Sequence, residues 1–250
     1  MKKMQLAKIL LPGGAYYELK QQENRSQSLA FLNGTLVSNG KSANGGIMSR
    51  TFLNGVWGLA SSADMSLPGM EKVMKKALAN AELLSAKVNK GKIVLPCNPA
   101  RGEYLFFTRK QPWTTAAKIE YLKVLDNYVA TKYPDLSTRQ VAINQDEMEK
   151  YILTSDGGEV HSMTPRTILV VVMMATHNGE PLQHYGVFGG FGQFEDNFED
   201  PQDLFADIDK LYKELMDKKE AVFAKGGTFE CVLDAKLAGI LSHEAIGHTT

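Results

Sequence analysis

Short apolar stretches alternate with polar ones along the first part of the chain, and Asn-Gly pairs separate them. These pairs are Asn33-Gly34, Asn44-Gly45 and Asn54-Gly55. Because Asn-Gly tolerates the positive φ angles of a type I′ turn, the pattern predicts an antiparallel meander from about Ala15 to Ser62. Apolar residues then recur at helical spacing from Val73 to Leu84, behind a capping residue at Ser66. This predicts a helix that ends by Gly91.

The middle of the chain combines a proline-rich stretch with new helical and strand patterns. Residues 91–111 lack apolar periodicity, which predicts an irregular connector. A second helix should open with Pro112 at an early position and end before Pro134, with an apolar stripe between them. A period-two pattern then predicts three strands, at 141–154, 160–165 and 168–176. The last of these lacks polar alternation, so both of its faces should be buried.

The clearest helical pattern begins with Asp200-Pro201, a cap followed by proline at the first helical position. An apolar stripe continues from Leu204 to Met216. A short strand, Thr228 to Leu233, should follow, and Asp234 should cap a last helix that runs to the end of the chain. The glycine-rich stretch 186–192 lacks the Lys-Ser/Thr of a phosphate-binding loop, which favours a packed loop.

These elements predict an α+β fold with mainly antiparallel sheet. It consists of two meander-plus-helix units, followed by one strand and one helix of a further domain. The corresponding domain bounds are 1–90 for the first unit, 91–111 for a connector, 112–225 for the middle unit and 226–250 for the start of the further domain.

Composition narrows the class of protein. The 250 residues are 44% hydrophobic, and 28 basic residues balance 28 acidic ones, which argues against nucleic acid or an anionic membrane as direct partner. No apolar run is long enough to cross a bilayer. The apolar stretch at the N-terminus is broken by Lys8 and lacks a cleavage site, so we do not interpret it as a signal peptide. The only cysteines, Cys97 and Cys231, have no disulfide-framework spacing, which favours a cytoplasmic location.

The candidate chemistry lies in the string His243-Glu244-Ala245-Ile246-Gly247-His248. Two imidazoles can ligate zinc, and a carboxylate beside one of them can accept a proton from water. On a regular α-helix, however, residues five apart are offset by about 140°. A wider local turn, which Gly247 would ease, is needed to bring His243 and His248 together. The alternative is two ordinary histidines at a frayed helix end.

The same region resembles the TldD/PmbA family, in which a strand leads through a turn into a helix bearing an H-E-x-x-G-H motif. Residues 228–248 are similar to that element throughout. The resemblance extends upstream to Gly46-Ile-Met-Ser-Arg50, to Asn54-Gly-Val-Trp-Gly-Leu-Ala60 and to the hairpin Thr154-Ser-Asp-Gly-Gly158. It therefore covers nearly the whole chain, and the histidine motif is its most specific part.

The resemblance implies a role for each matched residue. His243 and His248 correspond to zinc ligands, and Glu244 corresponds to the general base of peptide hydrolysis, as in the TldD-type subunit. The implied partners are a peptide substrate and either a homologous PmbA/TldE-type subunit or a second copy. Family members are longer and take their third zinc ligand from a cysteine in the C-terminal half. We therefore expect 226–250 to be the start of a truncated metallopeptidase domain, the third ligand to lie outside this chain, and the chain alone to be inactive.

Other interpretations remain. Cys231 could supply the third ligand, although a small buried hydrophobe is the role we expect for it. His161, His177 and His184 lack partner spacing and are expected to be surface or hydrogen-bonded histidines. The chain could also be a non-catalytic scaffold or partner subunit that shapes a peptide-binding cavity. Older family descriptions give modulation of DNA gyrase as a role. The sequence has no basic stripe that would indicate direct contact with DNA.

Overall fold

Long antiparallel strands dominate the first part of the structure, a computed structural model that describes residues 15–88, 93, 95 and 97–248. They are β1 (Tyr16–Leu32), β2 (Thr35–Leu53) and β3 (Val56–Ser62). Asn33 and Asn54 have φ angles of 48° and 49° and are each followed by a glycine at 83°, so the predicted meander and these two turns are confirmed. The predicted turn at Asn44-Gly45 is wrong, because both residues pair with β1 within the continuous strand β2.

The second set of strands is longer and less interrupted than predicted. It comprises β4 (Arg101–Leu105), β5 (Thr138–Thr154), β6 (Glu159–His177) and β7 (Glu180–Phe191). The two strands predicted at 160–165 and 168–176 are one strand, β6. Pro165 is tolerated within it because it lies where the outer neighbour changes, between β4, which ends opposite Met163, and β7, which begins opposite Arg166. Most of the glycine-rich stretch predicted as a loop belongs to β7.

The two meanders form a single seven-stranded sheet in the described part of the chain. Its order is β3-β2-β1-β5-β6-β4, and β7 pairs with the same edge of β6 as β4. The pairing of β1 with β5 joins the two meanders over their full length. All pairs are antiparallel except β4 with β6. The α+β class with mainly antiparallel sheet is therefore confirmed, and β4 is an addition inside the predicted connector.

Helices close one face of this sheet. They are α1 (Leu67–Lys87), α2 (Thr115–Lys132), the short α3 (Phe194–Asn197) and α4 (Phe205–Asp217). Ser66 caps α1 as predicted, by accepting a hydrogen bond from the Gly69 amide. The predicted end of that helix, Gly91, lies outside the described residues, as does the N-terminal segment that we compared with a signal peptide. Helix α2 begins after Pro112, because Thr114 provides its cap. Asp200 caps a 3₁₀ turn at Pro201–Leu204 that continues into α4.

Two separate apolar cores lie under these helices. Helix α1 covers one that includes Leu19 and Leu153, while α2 and α4 cover a larger one that includes Leu29 and Ile143. Each pair lies ten positions apart on one strand, so the side chains leave the same face of the sheet. The cores therefore occupy opposite ends of one sheet face, and a polar stretch separates them.

The apolar run of β6 is buried on one face only. Its fully buried side chains alternate with half-buried ones from Ile168 to Met174, so the prediction that both faces are buried is wrong. The buried side chains of the run, Leu169, Val171 and Met173, lie in the larger core. Among the described residues of 15–219, no helix lies on the other face of the sheet.

Residues 220–250 form a second compact unit, distinct from residues 1–219. Its regular part is α5 (Ala235–Ser242) and the helical turn that follows it. The strand predicted at Thr228–Leu233 is wrong, since no strand is formed there. A strand needs hydrogen bonds from a neighbour, and none pairs with this segment among the described residues. No described helix is both long and apolar enough to cross a membrane.

Candidate metal centre

Helix α5 positions the histidine motif. Asp234 has an extended backbone, and its carboxylate accepts a hydrogen bond of 2.7 Å from the Leu237 amide, which starts the helix as predicted. The helix then widens into a π-helical turn at His243–Gly247. An i→i+5 turn places residues five apart on one side of the helix, so the wider turn that the spacing requires is confirmed.

The turn brings the three predicted site residues together. The ring centroids of His243 and His248 are 4.6 Å apart, with the rings edge to face. His248 Nε2 lies 3.8 Å from Glu244 Oε2. One donor atom from each of the three side chains lies within 4.8 Å of the others. All three side chains are exposed, so modest side-chain rotations can bring their donor atoms to one ion.

The donor set suits zinc. Two imidazole nitrogens are ligands that this metal takes in catalytic sites, where three protein ligands leave a position for water, and a nearby carboxylate can act as the base. Within the part of the chain that the structure describes, no further His, Cys, Asp or Glu joins this group. The Cys231 thiol is exposed and lies 3.8 Å from the Phe229 carbonyl oxygen, so the expectation that it is buried is wrong. Cys97 is exposed as well.

The remaining histidines are hydrogen-bonded, as predicted. His161 Nε2 lies 2.9 Å from Glu149 Oε1, and His184 Nε2 lies 3.0 Å from Glu214 Oε2. His177 contacts the side-chain amide of the next residue at 3.1 Å. All three belong to the first compact unit, where they bind partners within the sheet and its helices.

Glu149 is the most strongly perturbed acid in that unit. Burial acts to raise the pKa of its carboxyl group, but hydrogen bonds from Tyr151, His161 and Arg25 outweigh burial and lower the pKa to about 2. The Tyr151 ring also stacks on His161, with centroids 3.9 Å apart. These contacts tie β1, β5 and β6 together across the polar middle of the sheet.

Sequence reasoning missed one unusual polar residue, Lys118, whose side chain is buried. The helical spacing of the sequence did indicate that Lys118 is buried, because position 118 continues the buried stripe of α2 one turn before Tyr121 and Leu122. A lysine on such a stripe must find polar partners inside the fold.

Comparison with known protein families identifies the family of this chain. Residues 17–81 match the family description "PmbA/TldA metallopeptidase domain 1", and residues 110–219 match "PmbA/TldA metallopeptidase central domain". The chain belongs to the PmbA/TldD metallopeptidase family. The membership that the motifs suggested is thereby confirmed, on residues that do not include the histidine motif.

Relatives of this PmbA/TldD chain are longer. Metalloprotease MJ0996 of Methanocaldococcus jannaschii is 24% identical over 247 residues, which cover 96% of this chain and 52% of that protein. The chain thus spans about half the length of the curated relative that it matches.

Solved structures show the same fold. A protein of Thermotoga maritima named as a candidate modulator of a DNA gyrase superposes with a TM-score of 0.62 at 17% identity, over 90% of this chain and 49% of that one. TldE from Thermococcus kodakarensis superposes with a TM-score of 0.57 at 10% identity, over 88% of this chain and 46% of that one.

Proposed function

We propose that this chain supplies two zinc ligands, His243 and His248, and the general base, Glu244, of a metallopeptidase that hydrolyses short or unfolded peptides. The single observation that carries the proposal is the π-helical turn that gathers three donor atoms within 4.8 Å. Membership of a metallopeptidase family and the name of the curated relative support it.

Each residue has a distinct task in this proposal. His243 and His248 bind the metal through one ring nitrogen each. Zinc, when bound, supplies Lewis acidity that polarises a carbonyl oxygen and makes water more acidic. Glu244 Oε2 accepts the proton that water loses as it attacks the peptide carbonyl carbon, and then delivers that proton to the departing amine. A third ligand is expected from outside these residues, as the family resemblance implies.

A scaffold that only shapes a peptide-binding cavity is the alternative. Such a subunit needs no carboxylate beside two histidines, and the distance of 3.8 Å between Glu244 and His248 therefore favours the catalytic proposal. We further propose that the enzyme works in the cytoplasm as a dimer with a homologous TldE-type subunit or a second copy. The TldE structural neighbour supports this only through its shared fold.

The test is Glu244→Gln in a form of the enzyme that includes the third ligand and hydrolyses peptides. Turnover is assayed on an unstructured peptide, and zinc content is measured by elemental analysis. The amide keeps the size of the side chain but cannot accept the proton, so turnover should fall by about 10²–10⁴-fold while zinc remains bound. Glu214→Gln, in the first compact unit, is the matched control and should leave turnover unchanged. Glu244→Gln activity equal to that of the parent, at equal zinc content, would refute the assignment of the base.

A further inference from the structure

A cavity of about 510 Å³ opens on the helix-bearing face of the sheet, in the polar stretch between the two cores. Its floor includes Arg25 and Gln27 of β1, and Gln145 and Glu147 of β5. Lys118 of α2 and Gln193, just before α3, also line it. The volume lies in the range of small-ligand sites.

Lys118 is the unusual residue of this cavity. Its side chain is only 7% exposed, yet it carries an amine and makes no hydrogen bond to a carboxylate among the described residues. The Nζ atom donates to Gln145 Oε1, and more weakly to Gln27 Oε1 at 3.4 Å. An ammonium has three N–H groups, so these two bonds leave one donor available.

The two glutamines are held with their oxygens toward the lysine. Gln145 Nε2 donates to Thr167 Oγ1 at 3.3 Å, and Gln27 Nε2 donates to Thr115 Oγ1 at 3.1 Å. Because both amide NH₂ groups are engaged elsewhere, each glutamine presents its carbonyl oxygen to Nζ. The hydrogen bonds that position the lysine therefore come from neutral groups, and none of them is made by a carboxylate.

A second lysine adds to the same charge. Lys41 lies in one register row with Gln27 and Gln145, and its side chain is exposed. No ion pair of Lys41 is found among the described residues. Burial lowers the pKa of the Lys118 amine, the charge of Glu195 opposes this, and the charge of Lys41 reinforces it. An anion placed close to both amines would favour their charged forms.

The acidic residues of the cavity are already engaged. Glu147 accepts hydrogen bonds from Arg25 Nε at 2.8 Å and from Gln193 Nε2 at 2.9 Å. Asp146 accepts one from Ser26 at 2.8 Å. They therefore offer little to the lysines, and the lysine end of the cavity retains positive charge.

We infer that this cavity binds a carboxylate, with Lys118 and Lys41 as its ionic contacts, and that the ligand is the C-terminal carboxylate of a peptide. The identity of the ligand rests on the proposed peptidase function, whereas the carboxylate site rests on the two lysines and the glutamines alone. A volume of about 510 Å³ has room for the last residues of a peptide. Their backbone amides can bond to the glutamine and serine side chains that line it.

The test is an NMR titration of the 250-residue chain with a blocked trialanine peptide that has a free carboxylate, with the same peptide amidated, and with inorganic phosphate. The free acid should bind and shift the amide resonances of Lys41 and Lys118, and the amidated peptide should bind about tenfold more weakly or worse. Lys118→Met and Lys41→Met should each weaken binding of the acid about tenfold. Lys41 is exposed, so its variant tests the site without disturbing the core.

Lys123→Met is the matched control, because Lys123 is an exposed lysine of α2 that pairs with Glu120 at 2.6 Å. It should bind the acid as the parent does. Equal affinity for the acid and the amide, or no shift with the acid into the low millimolar range, would overturn the proposal. Phosphate binding as tight as that of the acid would overturn the peptide assignment. None of these results depends on zinc or on Glu244. The titration therefore tests the carboxylate site independently of the proposed peptidase function.

Discussion

Replacing Gly58 by alanine should destabilise the packing of α1 on the sheet. Gly58 lies on β3 beneath the helix, and a Cβ atom there would be 2.2 Å from both the Ala77 oxygen and the Ala81 nitrogen. Both are backbone atoms, which cannot rotate away as a side-chain end can. The helix must therefore retreat by about 1 Å to restore normal contact, and the smaller core beneath it loosens.

The loss in free energy of unfolding follows from overpacking of this close contact. Such changes typically destabilise by 1–3 kcal/mol, and the rigid backbone contact here places Gly58→Ala near the upper end, at about 3 kcal/mol. For a folded unit of this size that corresponds to a fall in Tm of about 6–12 °C. Urea denaturation followed by the fluorescence of the adjacent Trp57 measures the change. Gly40→Ala in β2 is the control, because a Cβ there meets nothing within 4 Å, and it should be neutral or slightly stabilising. Equal stability of Gly58→Ala and the parent would refute the reasoning.

Four further substitutions test polar groups inside the fold. Thr51 is fully buried and its hydroxyl has no hydrogen-bond partner among the described residues, so Thr51→Val should stabilise the fold by about 1 kcal/mol. Thr167→Val removes a hydroxyl that donates to a backbone carbonyl at 3.0 Å. This variant should destabilise the fold by about 1 kcal/mol in the same urea experiment. Arg139→Met leaves the buried carboxylate of Asp126 unpaired and should cost about 3 kcal/mol or more, again by urea denaturation; a neutral result would mean that the pair contributes nothing. The pKa of Glu149 falls from its usual 4.5 to about 2 on folding, so its contribution of about 3 kcal/mol is present above pH 4.5 and is lost as the pH falls toward 2. Glu149→Gln should therefore reduce the fall in the free energy of unfolding between pH 4.5 and pH 2. An unchanged fall would show that other carboxylates control the stability in this range.

The parts of the fold that were predictable from sequence are those fixed by local chemistry. Asn33 and Asn54 adopt left-handed φ angles because asparagine followed by glycine tolerates them. Ser66 and Asp234 cap their helices because a side-chain oxygen can bond an unpaired amide three residues later. The π-helical turn was predictable for another reason, since two ligands five residues apart cannot meet on a regular α-helix.

The parts that sequence did not reveal depend on distant partners. Strand β4 forms because residues 159–163 of β6 offer it a free parallel edge, and nothing in its own sequence shows this. Conversely, Thr228–Leu233 has strand composition but no neighbour to pair with among the described residues. The Asn44-Gly45 pair has the composition of a turn, but β1 runs alongside it without a break, so the ladder overrides the local preference.

The zinc affinity of the chain tests the central claim most directly. It can be measured by competition with a chromophoric chelator for the parent, for the double variant His243→Ala/His248→Ala, and for the control His177→Ala/His184→Ala. Because the chain supplies two of the three protein ligands, the proposed site predicts weak zinc binding, and a further loss of more than about 100-fold in the His243→Ala/His248→Ala variant. The control should bind as the parent does. Zinc affinity that survives the loss of both His243 and His248 would show that the motif is not the metal site.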